Sequence, residues 1–500
     1  MGSLKCNNII IMFEPSENQQ NIFNAWNNED CNVLVNAVAG SGKSTTLLEL
    51  LGYCDARTLF LSFNKSVQEE TQQKIEARSF GQGKAMTMHS LGLSAIKKHY
   101  RGYTIKNGKN FDLIKKVQTK NKPIFDNIRW QEKLKISYSL MDMNDISRLF
   151  LTNDIEEIKV HLTSMDKSMH NSDYLPQLWE DFISIRESSY IGNYIQIDFT
   201  DMMYLPVYKQ LQIPIDPVYL MIDECQDLNL CQHTLIDNLI NQGTVKKWIA
   251  VGDRNQAIYG FSGASTSSFD MFLEKGETKE FPLDICYRCS TAIIDEANDV
   301  FDVMEYSSEE EGLVKTINDS ELIKDNSMII CRNSGPLISL YFKILGEGKT
   351  AYIKGSDILN SINRFLKPYN SYTTSAAKDA MEMKLKELEE KKGEEGRMYY
   401  FMFKENFNNF KLLYKHLCEG NETIDFLIKK VSSLFISQDN AIMLCTIHKS
   451  KGLEADIVYI LNESLIPSKF AKSEEQLKQE QNLKYVARTR AKKELYYLNL

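Results

Sequence analysis

Short apolar runs, rich in β-branched residues and bounded by turn or polar residues, recur along this chain. One group comprises Val33–Ala37, Thr58–Phe63, Val218–Ile222 and Trp248–Val251. A second comprises Ser327–Cys331, Ala441–Thr446, Ile457–Leu461 and Leu495–Leu500. Runs of this length read as buried strands, and helical patterns lie between them. Buried strands alternating with helices predict two parallel α/β sheets. Two stretches interrupt the alternation. Residues 96–196 are polar, rich in Lys and Asn, and lack strong strand runs, whereas 356–437 reads as helical with Lys, Glu and aromatic residues. Within the second stretch Glu387 stands four residues before Lys391, a spacing that supports an exposed helix. Each stretch is read as a helical insertion in one α/β unit. The first unit is then 1–95 and 197–280 around an insertion at 96–196; the second is 281–355 and 438–500 around a shorter insertion at 356–437. No repeat of solenoid period is present.

Composition narrows the class. The 500 residues are 43% hydrophobic and 25% charged, which excludes disordered, collagen-like and mini-protein chains. With 59 Lys+Arg against 67 Asp+Glu the net charge is −8, so a uniformly basic nucleic-acid coat is excluded, but a local basic groove is not. No run approaches the length of a transmembrane helix, and the first residues lack the layout of a secretory signal. Gly2 fits a myristoylation start, but Cys6 stands where Ser or Thr is wanted. Ten scattered cysteines favour reduced thiols in a cytosolic compartment. Cys286-X-X-Cys289 is the one tight pair, and no second pair or nearby His completes a zinc site.

The chemistry begins at Val33–Thr45. A buried strand runs into a small-residue loop, Ala39-Gly40-Ser41-Gly42, and then into a helix opening with Lys43, Ser44 and Thr45. Gly40 and Gly42 let backbone N–H groups approach phosphate oxygens, and the helix N-terminus adds a positive dipole end. Lys43 can reach the outer phosphates and the Ser44 hydroxyl can ligand Mg2+. Ala37 occupies the position where the generic pattern has Gly. A second apolar strand, Val218–Ile222, ends in Asp223 and Glu224. Adjacent acids at a strand end are costly unless they meet a cation or solvent. Asp223 suits Mg2+, and Glu224 suits a general base that orients the attacking water. A third strand leads to Gln256, a candidate γ-phosphate sensor, and to Tyr259 and Phe261, which are either stacking platforms or core residues.

Taken in order, these motifs resemble the UvrD/Rep/PcrA-like group of superfamily 1 helicases. The matches run from Gln19 to Arg490. Pro15–Gln19 resembles the family's Q motif, Thr58–Lys65 and Thr87–Ser90 its DNA-contacting motifs, and Asp198–Met202 its Asp-Phe-x-Asp-Leu segment. Asp223–Asp227 matches its Asp-Glu-x-Gln-Asp signature. Leu283–Arg288 resembles the second-core motif carrying Tyr and Arg, Ile330–Asn333 a later strand motif, Cys445–Glu454 motif V, and Glu480–Ala491 motif VI. Phe261 stands where a Trp is common, Gly260 where a bulkier polar residue is common, and the second-core insertion is short.

The resemblance implies an α/β fold of two RecA-like P-loop cores with parallel sheets, each carrying a mainly helical insertion. It implies ATP and Mg2+ as cofactors. Gln19 would read adenine, Tyr287 and Glu454 would lie beside the nucleotide, and Arg288 and Arg490 would meet the γ-phosphate, Arg490 as an arginine finger. The bland alternative is that Arg490 caps a surface helix. Phe63, Asn64, Thr87, His89, Tyr259 and Phe261 on the first core, and Thr446, His448 and Lys449 on the second, are the candidate DNA contacts. A lone His is by default a packed or surface residue; motif position moves His89 and His448 to the functional side. The expected activity is an ATP-dependent helicase or translocase on single-stranded or tailed duplex DNA, moving 3′→5′. The alternative is a DNA-stimulated ATPase subunit that regulates a partner nuclease without productive unwinding; a protein loading partner is also compatible. The chain ends ten residues past Arg490, which would leave no room for a C-terminal nuclease domain. A monomer when free, with no membrane association, is expected in the cytoplasm or on the nucleoid, or in the host cytoplasm if phage-encoded.

Overall fold

The computed structural model describes residues 14–54, 57–62, 64–77, 83–165, 169–170, 172–216, 218–258, 260, 267–390, 394–436, 440–469 and 471–500. Two six-stranded sheets, each wholly parallel, form its two centres. The first runs in the order Gly83–Thr87, Arg57–Ser62, Val218–Ile222, Val245–Gly252, Asn32–Ala37, Thr278–Leu283. Val33, Leu34 and Val35 are fully buried and pair with Ile249, Ala250 and Val251. The second runs Leu313–Ile317, Ala491–Leu498, Ala455–Leu461, Met328–Cys331, Ile442–Thr446, Ala351–Ile353. Thus the expected α/β class with two parallel sheets is the observed one.

The strands that the sequence reading omitted from these sheets are their four edges: Gly83–Thr87, Thr278–Leu283, Leu313–Ile317 and Ala351–Ile353. An edge strand is half exposed, so its residues alternate or turn polar and the continuous apolar signal is lost. Thr278–Leu283 also carries the first sheet past residue 280.

The stretch 96–196 is helical, with helices at Lys109–Lys120, Lys122–Asn127, Trp130–Leu149, Ile155–Ser164 and Leu175–Ser188. Leu113, Val117, Leu140, Met143, Trp179 and Phe182 give it a hydrophobic core of its own. It also holds two strands not foreseen, Gly102–Ile105 and Tyr194–Ile197, which pair in parallel where the chain leaves and returns. Beside this neck lies a buried ionic knot. Arg148 donates to Asp198 at 2.7 Å and to Asp201 at 2.9 Å, Lys109 donates to Asp201 at 2.6 Å, and the Tyr190 hydroxyl donates to Asp201 at 2.5 Å. Arg148 also donates to Asp145 at 2.8 Å at the margin of the cluster, so its guanidinium serves three carboxylates, and each buried member is costly to strand alone.

The stretch 356–437 behaves differently. Its helices Thr374–Glu390, Glu394–Leu417 and Ile424–Ser433 place Met381, Phe407, Phe410 and Leu427 in the same core as Ile329 and Tyr459 of the second sheet and Leu337 of the helix Ser334–Gly346. It is a cover for that sheet with no separate core. Lys391 lies outside the described residues; Glu387 instead accepts from Lys384 at 2.8 Å. Among the described residues no helix is long and apolar enough to cross a membrane.

Replacing Arg148 by Met keeps the bulk of the side chain but leaves Asp198 and Asp201 short of a partner. Urea unfolding followed by the fluorescence of Trp179 is expected to show a loss of about 3–5 kcal/mol. A change within about 0.5 kcal/mol, ordinary for a surface position, would remove the ionic knot from any structural role.

Candidate functional site

The phosphate loop is shaped by its neighbours as much as by its own residues. Gly40 (φ 72°) and Gly42 (φ 83°) are left-handed, and Gly42 is the residue from which the Lys43–Leu50 helix starts. At Gly40 a Cβ would sit 2.5 Å from the Arg288 Cβ, so only glycine lets the second core approach this closely. Lys43 donates to the carbonyls of Ala37 (3.2 Å) and Val38 (3.1 Å), which keeps its ammonium at the mouth of the loop. Ser41 is buried and donates to Val38. Thr45, in the first helical turn, is half-buried.

Gln19 sits behind this helix. Ser16 and Gln19 form a capping box at the start of Glu17–Asn28, in which the Gln19 side-chain oxygen accepts from the Ser16 N–H. The Gln19 amide nitrogen donates to Thr46 at 2.9 Å. Helix capping thereby aims one amide at the phosphate-loop helix.

At the end of Val218–Ile222, Asp223 accepts from the Ser44 hydroxyl at 3.3 Å and from the Glu224 N–H at 2.9 Å. Burial pushes the Asp223 carboxyl up to about 6, and the neighbouring Glu224 charge adds to this. Glu224 has a left-handed backbone, φ 53°. Burial opposes its ionisation too, but Lys451, Lys43, the Gln226 hydrogen bond and Arg490 outweigh it and hold Glu224 below the ordinary carboxylate range. Two adjacent acids are thus driven apart, a pattern that assigns them different tasks. Gln226 donates to Glu224 at 2.6 Å and accepts from the Asp253 N–H at 3.1 Å; Gln256 donates to Asp253 at 2.8 Å. This chain of amides joins Gln256 to Glu224.

These residues suit a nucleotide with a divalent cation. Ser44 and Asp223 bring two hard oxygen donors together, and the Lys43–Leu50 helix starts beside them with no side chain capping its first amides.

The second core closes directly on this face. Lys451 donates to both Asp227 oxygens (2.8 and 2.6 Å) and to the Gln256 carbonyl (2.6 Å), all but buried. The Ala39 N–H donates to the Tyr485 hydroxyl at 3.2 Å, the Tyr287 N–H to the Gly40 carbonyl at 3.0 Å, and Asn482 to the Ala257 carbonyl at 2.9 Å. Half-exposed Tyr287 stands at the rim of this contact. Arg288 pairs with Glu454 at 2.7 Å, and Glu454 also pairs with Lys492 at 2.6 Å. Arg490 is 2% exposed and donates to the carbonyls of Val486 (3.0 Å) and Leu453 (3.1 Å). A surface helix cap does not fit that burial. Burial and the Arg288 charge bring the Arg490 guanidinium down to about 10, and it and Glu224 feel each other's charge. Lys43, Asp223, Glu224, Gln256, Arg288 and Arg490 therefore share one seam.

Among the described DNA candidates, Asn64 follows the strand Arg57–Ser62, and Thr87 and Thr446 end the strands Gly83–Thr87 and Ile442–Thr446. Asn64 accepts from the Val67 N–H, and Thr87 accepts from the Ser90 N–H, so both cap helices. His89 lies 4.2 Å from the exposed ring of Phe199 and is held neutral by burial, down to about 4. Thr446 precedes the short Ile447–Ser450 helix, His448 is pushed down to about 3 by burial with help from Arg332 and Lys449, and Lys449 is exposed. Phe63, Tyr259 and Phe261 lie outside the described residues. Gly260 faces Gln479 of the second core so closely that a Cβ would meet its amide.

Sequence reasoning quoted Asp227, Lys451 and Tyr485 inside motifs but gave them no role, and did not single out Asn482 or Phe199. Only the meeting of the two cores reveals the first four.

Residues 16–276 match the UvrD/REP helicase N-terminal domain family, and residues 339–499 the UvrD-like helicase C-terminal domain. The chain is similar to the ATP-dependent DNA helicase Rep of Buchnera aphidicola subsp. Acyrthosiphon pisum, with 28% identity over 53% of this chain and 42% of that protein. It is also similar to a probable DNA helicase II homolog of Mycoplasma genitalium, with 23% identity over 93% of this chain and 83% of that protein. Among solved structures, an Arterivirus nonstructural protein 10 (helicase) aligns at 11% identity and a TM-score of 0.35, over 93% of this chain and 59% of its own. The chain spans about half the length of most of the curated relatives it matches.

Lys451→Met removes the cation from the buried cross-core contact. Small-angle scattering is expected to show a larger radius of gyration with unchanged far-ultraviolet circular dichroism. An unaltered scattering profile would mean that other contacts hold the cores together.

Proposed function

Because the chain belongs to the UvrD/REP helicase family, we propose that it is an ATP-driven motor that moves 3′→5′ along single-stranded DNA and separates duplex strands. The observation that carries this reading is the second core seated on the phosphate site of the first, where Lys451 is buried against Asp227 and Tyr485 meets Ala39, with the buried Arg490 guanidinium on the same side. A one-core nucleotide hydrolase has no use for a buried guanidinium delivered from a second sheet.

The residues divide the work by chemistry. The backbone N–H groups at Gly40–Ser44 bind phosphate oxygens, and Lys43 swings from the Ala37 and Val38 carbonyls to meet the outer phosphates. Ser44 and Asp223 would hold Mg2+, which when bound would neutralise phosphate charge. Glu224, kept ionised, orients the attacking water and takes its proton; Gln226 holds the carboxylate in place. Arg288 and Arg490 stabilise charge that develops on the transferred group. Arg288 leaves Glu454 to do so, and Glu454 retains Lys492 as a partner.

Turnover needs both cores together, so loss of phosphate relaxes the seam. If single-stranded DNA lies across His89, Phe199, Thr446 and Lys449, opening and closing change the spacing between its two footholds. Stacking contacts of this kind tolerate any base sequence and are worth about 1–3 kcal/mol each.

A strand-displacement assay decides between motor and ATPase subunit. The 3′-tailed duplex is expected to open with ATP, while a 5′-tailed duplex and a non-hydrolysable analogue give no product. ATPase that rises with single-stranded DNA but never displaces a strand would instead support the regulatory-subunit reading.

Arg490 gives a sharper test. Arg490→Lys keeps a cation but loses the planar fork, and is expected to lower DNA-stimulated hydrolysis by roughly 10³–10⁵-fold while nucleotide still binds. Near-normal turnover in a variant with the wild-type melting temperature would refute the two-core site. Glu224→Gln is expected to bind nucleotide and stall; hydrolysis at the wild-type rate would remove Glu224 as the base.

A further inference from the structure

The Cys286–Cys289 pair takes no part in the reaction proposed above, yet it sits against the phosphate loop. The Cys286 sulfur would lie 3.2 Å from a Cβ at Gly40. It accepts from the Cys289 N–H at 3.4 Å and from the Cys289 thiol, whose sulfur also lies 3.9 Å from the Thr489 carbonyl. Both cysteines lie in a hydrophobic cluster that spans the seam, with Val38, Ala39 and Ile258 from the first core. The two residues between them are Tyr287, whose N–H binds Gly40, and Arg288, which lies against Gly40 and pairs with Glu454.

We propose that Cys286 and Cys289 form a reversible dithiol–disulfide switch, oxidised by hydrogen peroxide, that pulls Tyr287 and Arg288 away from the phosphate loop and halts nucleotide turnover. The link itself stands on the thiol geometry; its effect on turnover rests on the function proposed above. The Cys286 thiolate attacks one peroxide oxygen, the O–O bond breaks, and hydroxide leaves and is protonated to water. Cys289 then attacks the resulting sulfenic sulfur, the S–S bond forms, and a second water carries off the oxygen with the Cys289 proton. The pair loses two electrons and the peroxide gains them.

The surroundings favour Cys286 as the attacking sulfur. The hydrogen bond from Cys289, aided by backbone N–H groups and the Arg288 charge, lowers its thiol to about 6, against burial. Cys225, Cys231, Cys331 and Cys445 are all pushed up by burial and stay inert. Cys289 is raised, as suits the resolving thiol. Both sulfurs are covered in part by the first core, so the oxidant reaches them when the seam opens.

The test uses the full chain. It is treated with hydrogen peroxide, its free thiols are alkylated, and it is digested with trypsin, which cuts after Arg288 and places the two cysteines on separate peptides. The expected result is a Cys286–Cys289 cross-linked peptide pair that disappears with dithiothreitol, with ATPase lost on oxidation and regained on reduction. Cys286→Ser should keep its turnover through the same treatment. Cys289→Ser cannot form the link, and dithiothreitol returns its Cys286 sulfenic acid to the thiol, so it should give no cross-linked pair and show full turnover after reduction. Both cysteines alkylated after oxidation, or sulfinic acid on Cys286 without the link, would overturn the switch. A link that leaves ATPase unchanged would overturn its effect on the loop. Should the reduced protein lack ATPase, the link would still be read by mass and the failure would fall on the proposed function.

Discussion

Lys451 leaves the second core and ends inside the first, against both oxygens of Asp227 and the carbonyl of Gln256. Taking two charges from water costs several kcal/mol per ion, and only close geometry with further hydrogen bonds offsets it. Burial and the neighbouring Glu224 push the Asp227 carboxyl up to about 7, and the Lys451 ammonium works against them. Around it the lighter contacts are arranged: Tyr485 on Ala39, Tyr287 on Gly40, Asn482 on Ala257. Each requires the cores to be as close as the Lys451–Asp227 pair brings them.

That closeness sets requirements far from the pair itself. Gly40 must lack a Cβ because Arg288 arrives there, as well as to let phosphate approach. Within the first core, and independently of the second, Gly252 must lack one because Gln226 and Cys225 press against it, and Gln226 donates to Glu224. Apolar residues follow the same line, for Val38 and Ala39 are buried together with Leu483 and Val486 across the seam. The site forms where the loops that follow the first sheet's strands meet the Glu474–Arg488 helix and the Lys451 loop of the second core.

What was legible in the chain was local. The buried strands Val33–Ala37 and Val218–Ile222 are continuous apolar runs, and the glycines and acids that follow them are adjacent in sequence, so strand, loop and donor set could be read together. The four edge strands were not legible, because exposure on one side dilutes the apolar signal: Leu313–Ile317 buries only its last residue fully. The cover over the second sheet was readable as helical but not as part of that sheet's core, since its partners Ile329 and Tyr459 lie distant in the chain. Lys451 could be seen in a motif, but its contact with Asp227 spans 224 positions, and no periodicity carries information over that distance. Arg490 was placed by resemblance alone, and its burial is new information.

The helical module at 96–196 joins its sheet through two short parallel strands, with the Arg148–Asp198–Asp201–Lys109 knot beside them. A joint of one strand would act as a swivel. Two strands bonded side by side, with charges locked at their base, resist both twist and bend. A sideways load on the far helices would then reach the first sheet as torque through this joint.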